Sequence, residues 1–249
     1  MKAIILAAGV GKRLQLAHHG PKCLLEFGGV SLLERHLDAL EAAGIGDVTL
    51  VLGHASGAVE RTIPARWTKR VLVHYNPLYT LGSVVSLWTA RATLLSGDDV
   101  LVMDADVLYH ERILARLVTS PNANCFLIDR DFTPGDEPVK ICLDRGRIVE
   151  FRKQIAPGLR YNALGESVGF FRFDAATATR LAALTAAYAA DDRREQPHEE
   201  ALRELALAAD CAVGVEDVTG LPWIEIDYPD DVRRATQEIL PRLDDPDQT

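Results

Sequence analysis

Two pairs of acids carry the clearest chemical signal in this chain. Asp104-Ala105-Asp106 follows the apolar run Val100-Leu101-Val102-Met103, and Glu225-Ile226-Asp227 follows Trp223-Ile224. Residues two apart on an extended strand point to the same side. Carboxylates held side by side repel unless a cation sits near them, so the first pair implies a divalent ion such as magnesium. The cations of the chain concentrate elsewhere. Leu6-Ala7-Ala8-Gly9-Val10-Gly11-Lys12-Arg13-Leu14 is a small-residue loop with two basic residues at its rim, and Pro21-Lys22 follows after a short connection. Ala7, Ala8, Gly9 and Gly11 let a ligand approach the backbone, and glycine permits the positive φ that turns several N–H groups toward one point. Lys12, Arg13 and Lys22 add full charges. An anion fits such a loop, and a triphosphate fits it best.

Two other glycine-loop motifs fail on particular residues. A dinucleotide fingerprint would need a small residue where Leu14 stands. A P-loop would need Ser or Thr where Arg13 stands, and a glycine five residues earlier. The two-part pattern L-A-A-G-x-G-x-R-L followed by P-K instead resembles the nucleotidyltransferase signature, and the likeness extends to about Ile239. That superfamily includes sugar-1-phosphate nucleotidylyltransferases and cytidylyltransferases acting on phosphocholine, inositol phosphate and phosphonates. The E-x-D pair, the Gly165-Glu166-Ser167-Val168-Gly169-Phe170 stretch and the compact length look most like the CTP-dependent branch.

The resemblance implies a role for each residue. Lys22 and Arg13 become catalytic, Lys22 at the α-phosphate and acceptor, Arg13 with Lys12 at the β- and γ-phosphates. The backbone of Leu6, Ala7, Ala8, Gly9 and Gly11 cradles the nucleotide, with Asp104 beside it. Asn76, Gly82 and Ser83 correspond to the loop and helix start that line the base, although Asn, Gly and Ser equally suit a turn and an N-cap. Asp106, Glu225 and Asp227 become the Mg2+ ligands. Lys153 and Glu166 fit the acceptor-binding K-x-x-G-E region over a longer spacing, with Lys140 as a further candidate; each lysine could equally be a solvated hairpin residue. The implied partners are a nucleoside triphosphate, CTP in the first place, and a small phosphorylated or phosphonate acceptor. Phosphocholine, 2-aminoethylphosphonate and an inositol phosphate all remain open, and Tyr161, Trp223, Glu166 and Asp136 are available to a cationic acceptor. A UTP- or dTTP-dependent sugar-1-phosphate enzyme is the alternative. A glycosyltransferase would not need the P-K loop, and a non-catalytic sensor would not need to keep Lys22 and the acids.

Regular elements must hold these residues. Lys2 to Leu6 reads as a strand buried on both faces, and Asp47 to Leu52, Val71 to Tyr75 and Asp99 to Met103 read as further strands. Between them, Ser31-Leu32-Leu33-Glu34 opens a capping-box helix that Gly44 stops, with Leu33, Leu37 and Leu40 on its inner face. The alternation predicts an α/β fold, Rossmann-like, with a mostly parallel sheet and helices on both faces. Residues 130–172 change period: a hairpin around Asp144-Arg145-Gly146 predicts an inserted β-hairpin flap at the acceptor side. Asp191 to Pro197 reads as a mobile charged linker. The last helix starts at Pro229 and should stop near Leu240, before Pro241. Residues 1–240 then form one domain and 244–249 a disordered acidic tail.

Bulk properties narrow the setting. At 249 residues and 48% hydrophobic content, the chain can bury a sizeable core. A formal charge of −9 argues against a nucleic-acid partner, which needs basic surface. Four cysteines without C-x-x-C spacing suggest buried thiols in a reducing cytoplasm. No apolar run approaches the ~20 residues of a membrane span, and the core strand at the start predicts no signal peptide. The alanine-rich helix from Asp174 to Ala190 suits close packing or a partner contact, which leaves room for a homodimer.

Overall fold

The computed structural model describes residues 1–14 and 20–243, so the predicted tail at 244–249 lies outside the described residues. Five strands come first in the chain: β1 (Lys2–Ala7), β2 (Glu26–Phe27), β3 (Val30–Ser31), β4 (Val48–Leu52) and β5 (Val71–Tyr75). Then follow β6 (Val100–Asp104), β7 (Val107–Tyr109), β8 (Cys125–Asp129), β9 (Lys140–Asp144), β10 (Arg147–Arg152) and β11 (Ala163–Phe173). β12 (Gly214–Asp217) and β13 (Trp223–Glu225) complete the set. The main sheet runs β10-β9-β11-β6-β1-β4-β5, with β8 paired to β11 and β12. β1 lies parallel to β4 and β6, and β4 parallel to β5. Past β6 the pairing turns antiparallel through β11.

Helices cover both faces. α1 (Leu32–Ala42) and, later in the chain, α5 (Glu111–Thr119) send Leu33, Leu37, Leu40, Ile113 and Leu117 against Ala3 and Ile5 of β1. On the opposite face Ile4 meets α3 (Ser83–Thr89), α4 (Arg91–Leu94), α6 (Ala175–Ala190) and α7 (His198–Leu207). Between α1 and α3 lies α2 (Ser56–Thr62). Successive residues of β1 thus enter two cores, which is why its sequence is an unbroken apolar run. Ser31 caps α1 by accepting from the Glu34 N–H at 3.2 Å, and Gly44 ends it at φ +76°. Among the described residues no helix is long and apolar enough to cross a membrane.

The hairpin expected as a flap is built into the sheet as its two outer strands. Its two-residue turn, Arg145-Gly146, has φ of +49° and +79°, which matches the strand twist. The continuity comes from β11, whose first half pairs with β9 and whose second half pairs with β6. Gly169, at φ +81°, marks the break between the halves.

Two further expectations are corrected. The Asp191–Pro197 segment is not a free linker: it contains a short helical turn, and Arg194 and Gln196 carbonyls accept from the Gly82 and Val84 N–H groups at 3.1 and 3.3 Å. The last helix does not stop before Pro241. α8 (Pro229–Arg234) passes through a π turn at Ala235–Ile239 into α9 (Leu240–Leu243). The wider turn changes the hydrogen-bond register where Pro241 has no N–H to donate, so the helical path continues.

Candidate active site

The carboxyl ends of β1 and β6 lie side by side, because Leu6 is in register with Asp104. β1 therefore delivers the glycine loop and β6 the acids to one edge of the sheet, where ligands of open α/β sheets bind. Gly11 adopts φ +64°, and a Cβ there would come within 3.3 Å of the Lys22 side chain. Lys22 itself stands on a single helical turn, Lys22–Leu24, fixed by Pro21 before it. Its Nζ donates to Asp106 Oδ2 at 2.8 Å and to Asp227 Oδ1 at 2.6 Å. Burial works against the Lys22 charge, but the two carboxylates outweigh it and hold its pKa above the ordinary lysine value.

A cavity of about 240 Å³ opens here, and it gathers most of the residues singled out from the sequence. Leu6, Ala7, Ala8, Gly9, Gly11, Lys22, Ser83, Asp104, Asp106 and Glu225 all line it. The Asp104 carboxyl is raised well above the usual carboxylate range by burial, then by Glu199 and Asp106. It is pressed against Gly169, where a Cβ would lie 2.6 Å from Oδ2. Glu225 keeps one solvent-exposed side, yet on the cleft side it is crowded by protein. That desolvation, followed by Asp106 and Asp227, holds its carboxyl well above the usual range.

Asp106, Glu225 and Asp227 each offer one oxygen, and these atoms lie within 4.8 Å of one another. Three carboxylate oxygens from two distant strand ends could hold a hard divalent cation. The electrostatics agree, since among the described residues Lys22 and the half-exposed Arg13 are the cations paired with the cluster, and Asp104 and Glu225 stay raised despite them.

A second cavity, about 280 Å³, shares Glu225 with the first and is walled by Asp129, Glu166, Trp223, Asp227 and Tyr228 among others. The Trp223 indole N–H donates to Asp129 at 2.7 Å. Burial, then the Asp129 charge, pushes Glu166 up to about 7. At its rim Arg13 donates to Glu137 at 2.9 Å and to Asp227 at 3.1 Å. Lys153 and the Tyr228 hydroxyl also donate to Glu137, at 3.2 and 3.0 Å.

Four predicted residues stand outside this arrangement. Lys140 is buried, and its three N–H groups donate to the carbonyls of Gly135, Pro138 and Lys153, so it ties down the 135–138 loop and has no donor left for an acceptor. Asn76 is fully buried: it accepts from the Leu78 N–H at 2.8 Å and donates to Ser86 at 3.0 Å, which makes it a turn residue. Gly82 packs against residues 195–196, its N–H already taken by Arg194. Lys12 is exposed and does not line the cavity.

Sequence reasoning missed His198 and Glu199, which line the same cavity as the glycine loop, and Glu137, which gathers Arg13 and Lys153. Pro197-His198-Glu199-Glu200 reads as an ordinary helix start, with acids suited to a first turn. Its place at the site depends on α6 and α7 folding back onto α3, which local sequence does not signal.

Known structures share this fold. The inositol-1-phosphate CTP transferase of T. maritima superposes with a TM-score of 0.75 at 20% identity, over 98% of this chain and 96% of that one. The CTP:phosphocholine cytidylyltransferase of Streptococcus pneumoniae gives 0.71, also at 20%, over 94% and 97%. At such identity these likenesses speak for the fold. In sequence, the chain is 29% identical to a bifunctional IPC transferase and DIPP synthase of Rubrobacter xylanophilus, over 96% of this chain and 52% of that protein. It is 28% identical to the CMP-5'-(3-aminopropyl)phosphonate synthase of Streptomyces rubellomurinus, over 97% of this chain and 39% of that protein. The chain thus spans about half the length, or less, of these two relatives. The model of the MobA-like NTP transferase domain matches residues 3–207, from β1 and its glycine loop through α7. With that match over most of its length, the chain belongs to the MobA-like NTP transferase family.

Proposed function

We propose that the chain transfers a cytidylyl group from CTP to a small phosphorylated or phosphonate acceptor, releasing pyrophosphate with Mg2+ as cofactor. One observation carries this reading: Lys22, beside the glycine loop, lies between Asp106 and Asp227, carboxylates from the ends of two different strands. Anion-binding backbone, a mobile-headed cation and a hard-metal donor set within one cleft suit phosphoryl chemistry more than any other. The names of the similar proteins, several of which use CTP or make CMP conjugates, favour that nucleotide.

An acceptor phosphate oxygen is already anionic near neutral pH and attacks the α-phosphorus without a general base. The work of the site is to bring anions together in line and to offset charge on the leaving pyrophosphate. N–H groups of the Ala8–Gly11 loop and Arg13 hold the leaving phosphates. Lys22 releases its carboxylate partners and moves its ammonium to the α-phosphate. Asp106, Glu225 and Asp227 would hold the metal, which when bound would supply charge neutralisation. Lys153 and Glu166, beside the second cavity, bind the acceptor.

The test is pyrophosphate release with Mg2+, crossing CTP, UTP, dTTP and GTP against inositol-1-phosphate, phosphocholine, 2-aminoethylphosphonate and glucose-1-phosphate. Release with CTP and a phospho-alcohol or phosphonate is expected. Release only with UTP or dTTP and the sugar phosphate would replace this reading.

A further inference from the structure

The N-terminal turn of α7 places two residues with unpaired buried polar atoms in the wall of the first cavity. His198 is 3% exposed and its ring is fixed from one side: Ser83 Oγ lies 3.0 Å from Nδ1 and accepts from the His198 backbone N–H at 2.9 Å. The opposite nitrogen, Nε2, is buried without a hydrogen-bond partner, 3.6 Å from Asp104 Oδ1. Glu199 Oε2 is also buried and without a hydrogen bond, although it lies 3.1 Å from His198 Nδ1. Both residues line the cavity that holds Lys22 and the aspartates. Buried polar atoms are nearly always paired, so an unpaired carboxylate oxygen on a residue that lines the cavity points to a ligand that donates there.

We infer that Glu199, with His198 beside it, receives a substrate amino group and makes the site selective for an amino-bearing substrate. This rests on the nucleotidyl-transfer reading above. Phosphate is the wrong guest for Glu199, because a carboxylate repels it and the carboxyl groups of Asp104, Asp106 and Glu225 line the same cavity, whereas Lys22 and the glycine loop offer it donors. The candidate metal ligands are other residues: Glu199 is not among the three carboxylates whose oxygens converge. A hydroxyl brings one proton. An amino group brings two or three, enough to serve Glu199 and Asp104 together. Two substrate groups have this chemistry: the 4-amino group of cytosine, a known partner of Glu and Asp, and the ammonium of an aminoalkyl acceptor. His198 Nε2 adds a second polar contact beside either.

The test compares the wild type with Glu199→Gln, which keeps the side-chain volume, on three matched pairs. These are CTP against UTP, 2-aminoethylphosphonate against ethylphosphonate, and CTP against 2'-deoxy-CTP, read as kcat/KM ratios. A charge-assisted hydrogen bond corresponds to a factor of about ten to a hundred in affinity. The expected result is a wild-type preference of that size in the first or the second pair, reduced at least tenfold in the variant and partly restored in Glu199→Asp. Loss in the nucleotide pair assigns the amino group to cytosine, and loss in the acceptor pair assigns it to the acceptor. Ratios unchanged in both pairs, or a change confined to the deoxy pair, would overturn the inference. Should the wild type release no pyrophosphate with any pair, the nucleotidyl-transfer reading fails separately. Calorimetry with CMP, UMP and 2-aminoethylphosphonate then decides Glu199: amino-selective binding abolished by Glu199→Gln upholds its role, and its absence in the wild type refutes it.

Discussion

Lys22 does two jobs that conflict. Its ammonium, 2.8 Å from Asp106 and 2.6 Å from Asp227, occupies the carboxylate cluster in the ligand-free protein, where a divalent ion would also sit. Metal binding must displace it, and a displaced ammonium is free for phosphate. Lys22→Met should therefore lower turnover by about a hundredfold or more while tightening Mg2+ or Mn2+ binding without nucleotide. Titration calorimetry reads the second effect, and weaker metal binding in the variant would refute the competition. Glu137 is a comparable case at the surface. It holds Arg13, Lys153 and the Tyr228 hydroxyl, three donors suited to a phosphate. These partners hold its carboxyl below the usual range although its slight burial works the other way. Glu137→Gln should lower KM for the phosphate-bearing substrates two- to fivefold. The effect is small because exposed ion pairs contribute only about 0–1 kcal/mol. An unchanged or higher KM in steady-state assays would show that Glu137 does not compete with substrate.

The start of α3 and the segment before α7 form one structural unit with the site. A Cβ at Gly82 would lie 2.0 Å from the Gln196 carbonyl oxygen and 2.5 Å from the Glu195 carbonyl carbon. Backbone on both sides cannot yield as a flexible side chain can. Gly82→Ala should cost about 1–3 kcal/mol and push the 194–198 strand of chain outward, taking His198 away from Ser83. Urea melts should show the loss, and KM for the nucleotide should rise with it; a melt unchanged within 0.5 kcal/mol, roughly the scatter of surface substitutions, would contradict this packing. The sequence marks Gly82 as notable but suggests a base contact, because its partner lies more than a hundred residues away. The same limit explains Lys140, whose three carbonyl partners exist only once the loop has folded. β12 was unanticipated for a like reason: it is four residues long and needs β8 beside it. By contrast β1, β4, β6 and α1 were legible because their own apolar period reports burial, whereas β5 was legible as a strand although it lies at the sheet edge with Leu72 and Tyr75 exposed. The glycine loop and both acidic pairs were legible too, because each motif is local even though the cleft they share is not.

At the scale of the whole molecule, the site leans on a buried histidine beneath it. His36 on α1 is fully buried, its Nδ1 3.3 Å from the Tyr109 hydroxyl and its ring packed on Tyr109 and Phe170. Burial pushes its pKa down to about 4, against the pull of the nearby Ala105 backbone and Asp106 charge. The unfolded chain takes up that proton below about pH 6.5, and the folded chain refuses it until about pH 4. Stability therefore falls as pH drops through this window, by roughly 3 kcal/mol for this group once pH is below 4. Glu166 acts oppositely. Its raised value, about 7, lets the folded protein keep a proton that the unfolded chain releases above about pH 4.5, so it favours folding as pH falls from 7. Asp104 and Glu225 are raised as well and add to that side. The wild-type curve of stability against pH should be shallow for this reason, and His36 has to be read by difference. His36→Gln keeps a polar group within reach of Tyr109 and removes the titration. Its stability relative to wild type should rise by about 3 kcal/mol between pH 7 and pH 4 in denaturant melts. A difference that stays constant over that range would mean the folded protein protonates His36 as readily as the unfolded chain does. In that event the floor under Asp104 and Asp106 would be open to water rather than dry.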